Sequence, residues 1–190
     1  KELRLPTIRD TFQESARRAA SENLSHLAYL SELATMECES RKEGRIKRLM
    51  TKSQLPSGKT WDSFDFTRLP LNVARQMETL RDGSFLDRRE NILIFGKPGS
   101  GKSHALAALS EQLILQGRSL LFTTCSLLVQ QLLIAKRDLR LPKMIKQMSS
   151  FEGLIIDDLG YVQQSREEME VLFTLLAERY ERGSVLLTSN

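Results

Sequence analysis

Residues 96–103 have the types and spacing that a phosphate-binding loop requires. They match the pattern GxxxxGK[ST] and read Gly96, Lys97, Pro98, Gly99, Ser100, Gly101, Lys102 and Ser103. Glycines let the backbone aim N–H groups at phosphate oxygens, and the helix N-terminus that follows favours anions. The Lys102 ammonium can reach the β- and γ-phosphates, and the Ser103 hydroxyl can bind Mg²⁺. We therefore predict a site for ATP with Mg²⁺ that extends to His104.

Two acids after an apolar segment form a second anchor for Mg²⁺. Asp157 and Asp158 follow Leu154, Ile155 and Ile156, which is the form of a Walker B strand. A buried strand carries Asp157 rigidly to the edge of a sheet, where its carboxylate can hold Mg²⁺, through water. The neighbouring Asp158 can orient or polarise an attacking water. We predict a metal-binding role for Asp157 and a catalytic role for Asp158 beside Lys102.

Asn190 follows the last apolar strand of the sequence. If this strand lies between the P-loop strand and the Walker B strand, the Asn190 side chain faces the γ-phosphate and acts in catalysis. An ordinary turn asparagine explains the sequence equally well. Aromatic residues before the core leave a similar choice, because Trp61, Phe64 and Phe66 can flank an adenine ring or pack in the core. The imidazole of His104 has no metal-ligand spacing, so we expect it to be structural.

Strand and helix patterns alternate from residue 60 onwards. Apolar strands are predicted at 91–95, 119–124, 153–157 and 185–189, and helices at 71–80, 102–116, 126–136, 141–148 and 165–182. We expect Ser126 and Ser165 to begin the two helices that follow them. Short apolar strands separated by helices indicate an α/β fold with a parallel sheet covered on both faces.

The residues before this core have a helical pattern of their own. A helix is predicted from Pro6 to about Ser21, and a leucine stripe with three-residue spacing follows at Leu24, Leu27, Leu30 and Leu33. Proline and glycine at residues 54–59 interrupt the pattern. We therefore expect a small N-terminal helical domain at residues 1–55 and an ATP-binding core at residues 56–190.

The charge of the chain is concentrated in its first part. Of the net charge of +4, all falls within residues 1–59, which hold 12 Lys and Arg against 8 Asp and Glu. Two basic clusters are present, and each is either a solvated surface or a contact for nucleic-acid phosphates. The first contains Arg41, Lys42, Arg45, Lys47, Arg48 and Lys52, and the second contains Lys136, Arg137, Arg140, Lys143 and Lys146.

Composition excludes several classes of protein. No apolar run approaches the roughly 20 residues that cross a bilayer. The two cysteines, Cys38 and Cys125, are far apart and form neither a disulfide framework nor a metal pattern. We therefore expect a cytoplasmic protein without a membrane partner.

Longer strings within the sequence resemble the IstB-like family of transposition helper ATPases, to which DnaC-type helicase loaders are related. The strings are Phe64-Asp65-Phe66, the P-loop with His104, residues 120–124, Ile155 to Tyr161, Glu178 to Ser184, and Leu187 to Asn190. The resemblance implies an AAA+ fold, with Asn190 as the sensor-1 residue. It also implies ATP-dependent oligomers that assemble on duplex DNA and cooperate with an insertion-sequence transposase. In that family the fifth strand, arginine finger and helical lid follow the position of Asn190, so we expect this chain to lack them.

Two alternatives to a transposition ATPase remain open at this stage. A helicase loader would grip a replicative helicase through its N-terminal helices. A P-loop kinase would instead phosphorylate a small molecule. The Walker B acids and the polar strand tip favour hydrolysis by water over the kinase.

Overall fold

A computed structural model describes residues 4–160 and 165–190, so that Tyr161 lies outside the described part. Two compact units are present, one ending at Arg48 and one running from Leu49 to Asn190. The first unit holds helix α1 (Pro6–Ser21) and most of α2 (His26–Ser53). The domain boundary after residue 55 stays a prediction. No helix among the described residues is long and apolar enough to cross a membrane.

The second unit alternates helices with four strands. Its helices are α3 (Leu71–Leu80), α4 (Ser84–Asp87), α5 (Lys102–Leu115), α6 (Cys125–Arg137), α7 (Leu141–Ser149) and α8 (Arg166–Arg179), and a short 3-10 helix lies at Phe66–Arg68. The strands are β1 (Ile92–Phe95), β2 (Leu120–Thr124), β3 (Gly153–Leu159) and β4 (Ser184–Ser189). All pair in parallel in the order β1-β4-β3-β2. The predicted α/β fold is therefore confirmed, and β4 lies between the P-loop strand and the Walker B strand.

Alternate residues of each central strand enter two separate hydrophobic cores. On one face, Ile155 and Leu186 pack with α5 residues such as Leu106 and Leu109. On the other face, Leu154 and Ile156 pack with α6, α7 and α8. Strands buried on both faces read as continuously apolar segments, which is why they were recognisable in the sequence.

Most helix ends lie within one residue of those predicted, and two of the differences have a clear structural cause. Helix α6 begins at Cys125, and the side chain of Thr124, rather than Ser126, accepts a hydrogen bond from the Leu127 amide. Helix α8 ends at Arg179 instead of Arg182, because the chain leaves the helix at Tyr180. Its start was predicted correctly, since Ser165 and Glu168 form a capping box.

A buried carboxylate joins the two helices of the first unit, while much of the leucine stripe is exposed. Leu33 is buried, but Leu27 and Leu30 are 78% and 62% exposed. Glu37 is buried on α2 and accepts hydrogen bonds from the backbone amides of Thr7 and Ile8 at the start of α1. Burial opposes ionisation of Glu37, yet the hydrogen bonds from Arg41 and from these amides outweigh burial and lower the pKa of the carboxyl.

Arg179 is a buried cation whose partners are all backbone carbonyls. Its guanidinium donates to the oxygens of Met148, Phe151, Glu152 and Ser184 at 2.9–3.2 Å. Burial lowers the pKa of Arg179 to about 10, so the side chain stays charged at neutral pH. A Cβ at Gly183 would stand 2.6 Å from an Arg179 nitrogen, and glycine therefore leaves room for the guanidinium. Arg179 ties the end of α7 to the starts of β3 and β4.

Arg179→Met should destabilise the second unit by at least about 2 kcal/mol, because several buried carbonyls lose their donor. Urea denaturation followed by circular dichroism measures this change. Arg182→Met is the matched control, since Arg182 is exposed and its ion pair with Glu178 is worth less than about 1 kcal/mol. Equal midpoints for Arg179→Met and the wild-type protein would contradict the structural role of Arg179.

Candidate nucleotide site

The loop between β1 and α5 has the backbone conformation of a phosphate cradle. Gly99 and Gly101 have positive φ values of 76° and 88°, which glycine adopts without strain. A Cβ at Gly96 would lie 2.9 Å from the Ser100 hydroxyl oxygen. Gly101 is the N-cap of α5, and no side chain caps this helix. The first amides of α5 are thus available to an anion, as in the predicted P-loop.

Lys102 is a buried lysine at the first turn of α5. Its Nζ donates to the carbonyl oxygens of Gly96 and Lys97 at 2.6 and 3.1 Å, and to Asn190 Oδ1 at 2.7 Å. The fold therefore brings Asn190 to the P-loop lysine from the far end of the sequence. The role of Asn190 toward a γ-phosphate stays a prediction.

Ser103 and Asp157, the two residues predicted to bind Mg²⁺, contact each other. The Ser103 hydroxyl donates to Asp157 Oδ1 at 2.8 Å, and Asp157 is only 5% exposed. A hydroxyl and a carboxylate are hard oxygen donors of the kind that Mg²⁺ prefers when phosphates supply further oxygens. The donor set therefore fits Mg²⁺. Among the described residues, no group of three His, Cys, Asp or Glu side chains offers a metal site that is independent of a phosphate ligand.

Thr188 is a member of the site to which sequence reasoning assigned no role. Its hydroxyl donates to Asp157 Oδ1 at 2.5 Å and accepts from the Asp158 backbone amide at 2.8 Å. Thr188 is fully buried on β4, next to β3. The available signal was the position of Thr188 two residues before Asn190 on the strand expected beside the Walker B strand.

Asp158 stands out from the strand that carries it. The pairing of β3 with β4 shifts between Ile156 and Leu159, and Asp158 has a positive φ of 59°. Such a conformation is uncommon for aspartate and turns the chain away from the regular ladder. Asp158 is exposed while Asp157 is buried. The irregularity thus separates a fixed carboxylate from an accessible one.

The aromatic residues before the core pack behind the loop. Trp61 is buried, and its ring centroid lies 4.6 Å from that of Phe66. Phe64 lies edge-on to His104 at 5.1 Å, and a Cβ at Gly101 would be 3.4 Å from the Phe64 ring. His104 Nε2 is 3.1 Å from the Ser63 hydroxyl oxygen, which agrees with a structural imidazole. Phe64 thus packs against the start of α5, and all three rings belong to the hydrophobic core that contains this helix.

A cleft of about 380 Å³ adjoins the loop on the side of β1 and α3. Its apolar lining includes Leu69, Val73, Met77 and Ile94, and its polar end reaches Lys102. An apolar cleft that opens onto a phosphate-binding loop has the character of a site for a nucleoside.

The basic residues predicted for DNA lie on exposed surfaces of different units. Arg45, Lys47 and Arg48 are exposed on α2 in the first unit. In the second unit, Lys136 pairs with Glu170 at 3.2 Å and Arg137 with Asp138 at 3.4 Å. Arg140 and Lys143 are exposed and make no ion pair with any described residue. Neither cluster contributes a side chain to the loop contacts given above.

The whole sequence is similar to a known protein family. The family described as IstB-like ATP binding protein matches residues 1–190. An insertion sequence ATP-binding protein of Sinorhizobium fredii is 41% identical over 190 residues, which are 100% of this chain and 64% of that protein. An ATP-binding protein of an insertion sequence from Geobacillus stearothermophilus is 35% identical over 188 residues, covering 99% of this chain and 75% of that protein. The chain thus spans less than two thirds of the first relative.

Solved structures share the fold of the core. A crystal structure of the DnaC helicase loader superposes with a TM-score of 0.61 at 18% identity, over 70% of this chain and 78% of that chain. AMPPCP-bound DnaA from Aquifex aeolicus gives a TM-score of 0.60 at 16% identity, over 71% of this chain and 43% of that chain. These likenesses concern the fold alone, and they agree with the predicted parallel sheet flanked by helices.

Thr188→Val should lower the free energy of unfolding by about 1–3 kcal/mol, because a buried hydrogen bond to Asp157 and another from Asp158 are lost together. Valine keeps nearly the shape of threonine, so that urea denaturation reports mainly on the hydroxyl. Thr188→Ser keeps the hydroxyl and serves as the control, with the loss of a methyl group only. If the valine variant were as stable as the wild-type protein, Thr188 would not hold the two aspartates.

Proposed function

This chain belongs to the family of IstB-like ATP binding proteins, and from this premise we propose that it is a Mg²⁺-dependent ATPase that assembles as an oligomer on duplex DNA and assists an insertion-sequence transposase. The observation that supports the ATPase most strongly is the meeting of Lys102, Asn190 and the Ser103–Asp157 pair at one edge of the sheet. Because the proposed partner is DNA, we place the protein in the cytoplasm.

Each residue of the site has a role in this proposal. The amides of residues 96–104 and the Lys102 ammonium bind the phosphates, and the apolar cleft beside β1 receives the nucleoside. Mg²⁺ supplies positive charge that neutralises phosphate oxygens, with Ser103 and Asp157 as its protein anchors. Asn190, which already accepts from Lys102, orients groups around the γ-phosphate.

The exposed carboxylate of Asp158 is the general base for the attacking water. The water oxygen forms a bond to the γ-phosphorus while the bond from that phosphorus to the bridging oxygen of ADP breaks. Asp158 orients the water and receives its proton. Because the Asp158 amide is held by Thr188, the carboxylate starts from a fixed backbone position although it faces solvent.

The relatives favour transposition over the alternatives. Both relatives described above are named as ATP-binding proteins of insertion sequences. The likeness to the DnaC helicase loader concerns the fold alone, so it does not favour that function. The exposed basic residues Arg140, at the N-cap of α7, and Lys143, in its first turn, support a contact with DNA phosphates. This first turn contains no acidic residue.

Lys102→Ala should weaken binding of ATP with Mg²⁺ by at least about 30-fold, because a charge-assisted contact to phosphate is worth 2 kcal/mol or more. Isothermal titration calorimetry measures the affinity, and circular dichroism checks that the variant is folded. Lys143→Ala removes an exposed lysine outside the loop and should bind ATP like the wild-type protein. Undiminished affinity in folded Lys102→Ala would exclude the proposed nucleotide site.

Replacement of Lys136, Arg137 and Arg140 together by Ala should weaken DNA binding without changing ATP affinity. Each phosphate contact contributes about 0.9 to the slope of log affinity against log salt, so the slope should become shallower by up to about 3. Fluorescence-anisotropy titrations on unrelated duplexes, with and without ATP, give these slopes.

The control for the DNA titrations is Arg75→Ala, an exposed arginine of α3 outside both basic clusters. Its slope should equal that of the wild-type protein. Wild-type binding that does not respond to salt would contradict a phosphate contact, and absence of binding in the presence of ATP would exclude the DNA part of the proposal.

A further inference from the structure

The turn between α6 and α7 places a leucine where neither packing nor backbone conformation favours one. Leu139 is 91% exposed, the highest value among the large apolar side chains of the described residues. It also has a positive φ of 55°. The other described non-glycine residues with positive φ are all polar or charged, namely Asn23, Gln54, Arg89, Asp158 and Glu181.

Hydrogen bonds fix Leu139 in this conformation. The Arg140 amide donates to the Ala135 carbonyl at 2.7 Å, and the Leu139 amide donates to the Lys136 carbonyl at 3.1 Å. This pair of bonds is the Schellman motif, which ends a helix with one residue in the left-handed region. Glycine is the favoured residue there, since it has no Cβ to strain. Leucine at this position therefore costs stability and buries nothing in return.

The surroundings of Leu139 indicate what it contacts. Lys136 and Arg137 precede it, each in an exposed ion pair, with Glu170 and Asp138 respectively. Arg140 and Lys143 follow it, at the N-cap and in the first turn of α7. The latter two are exposed cations that make no ion pair with any described residue. An apolar tip with cations on both sides is complementary to duplex DNA, in which stacked bases lie between two lines of phosphates.

We propose that Leu139 is a wedge that inserts between base pairs from the minor groove while the flanking cations bind the phosphates on either side. Apolar side chains used in this way unstack a base step and bend the duplex. The proposal rests on the DNA binding proposed above and adds to it a specific deformation of the DNA. Flexible steps such as TA should be the preferred points of insertion.

The test uses the full 190-residue chain with ATP, Mg²⁺ and a duplex in which 2-aminopurine replaces the adenine of a central TA step. The fluorescence of 2-aminopurine rises when the base is unstacked. The wild-type protein should raise the fluorescence, and Leu139→Gly should lose this rise while keeping the salt slope of binding. Leu139→Met should retain the rise because it keeps an apolar tip. Leu115→Ala removes another exposed leucine, outside the turn, and should behave like the wild-type protein.

Thermal melting separates the wedge from a defect in folding. Leu139→Gly should melt at the same or a higher temperature than the wild-type protein, because glycine suits the left-handed position. Loss of fluorescence together with a lower melting temperature would overturn the proposal.

Other outcomes distinguish the wedge from the DNA function itself. If the wild-type protein binds duplexes with a steep salt slope but leaves 2-aminopurine stacked, the wedge is excluded and DNA binding stands. The same conclusion follows if Leu139→Gly raises the fluorescence as much as the wild-type protein does. If Leu139→Gly instead loses ATP-dependent self-association on size-exclusion chromatography, Leu139 contacts protein and the wedge is wrong. If the wild-type protein binds no duplex with ATP, both proposals fail.

Discussion

The hydrogen bonds that meet at the Asp157 carboxylate hold the candidate site together. They join β3 to α5 through Ser103 and to β4 through Thr188. The carboxyl ends of parallel strands lie at one edge of the sheet, and their polar atoms must find partners because helices withdraw them from water. Loss of these bonds would leave the buried Asp157 carboxylate without its partners on α5 and β4.

The polar side chains of the candidate site fall into a buried pair and an exposed pair. Lys102 and Asp157 are buried and held by hydrogen bonds, which fixes two opposite charges at the candidate site before a phosphate binds. Asp158 and Asn190 are exposed, but each is hydrogen-bonded to a buried residue. The partner of the Asp158 amide is Thr188, and the partner of the Asn190 side chain is Lys102. Hydrolysis needs this combination, since phosphates must be held while water still enters.

A short connection links the nucleotide edge to the basic surface. Thr124 ends β2 in register with Asp157 on β3, and its side chain caps the first turn of α6. The opposite end of α6 leads to Leu139 and the cations around it. Helix α6 thus begins beside the strand that carries Asp157 and ends at the turn that carries Leu139.

The sequence alone determined the P-loop, the Walker B acids, the alternation of elements and the parallel sheet, because each depends on local spacing or on strands buried on both faces. Tertiary structure decided which distant groups meet. Thr188 became part of the site only through the pairing of β3 with β4, and Asn190 reached Lys102 only because β4 lies beside β1. The exposure of Leu139 was equally hidden, since only the backbone conformation of the turn after α6 places this side chain in solvent.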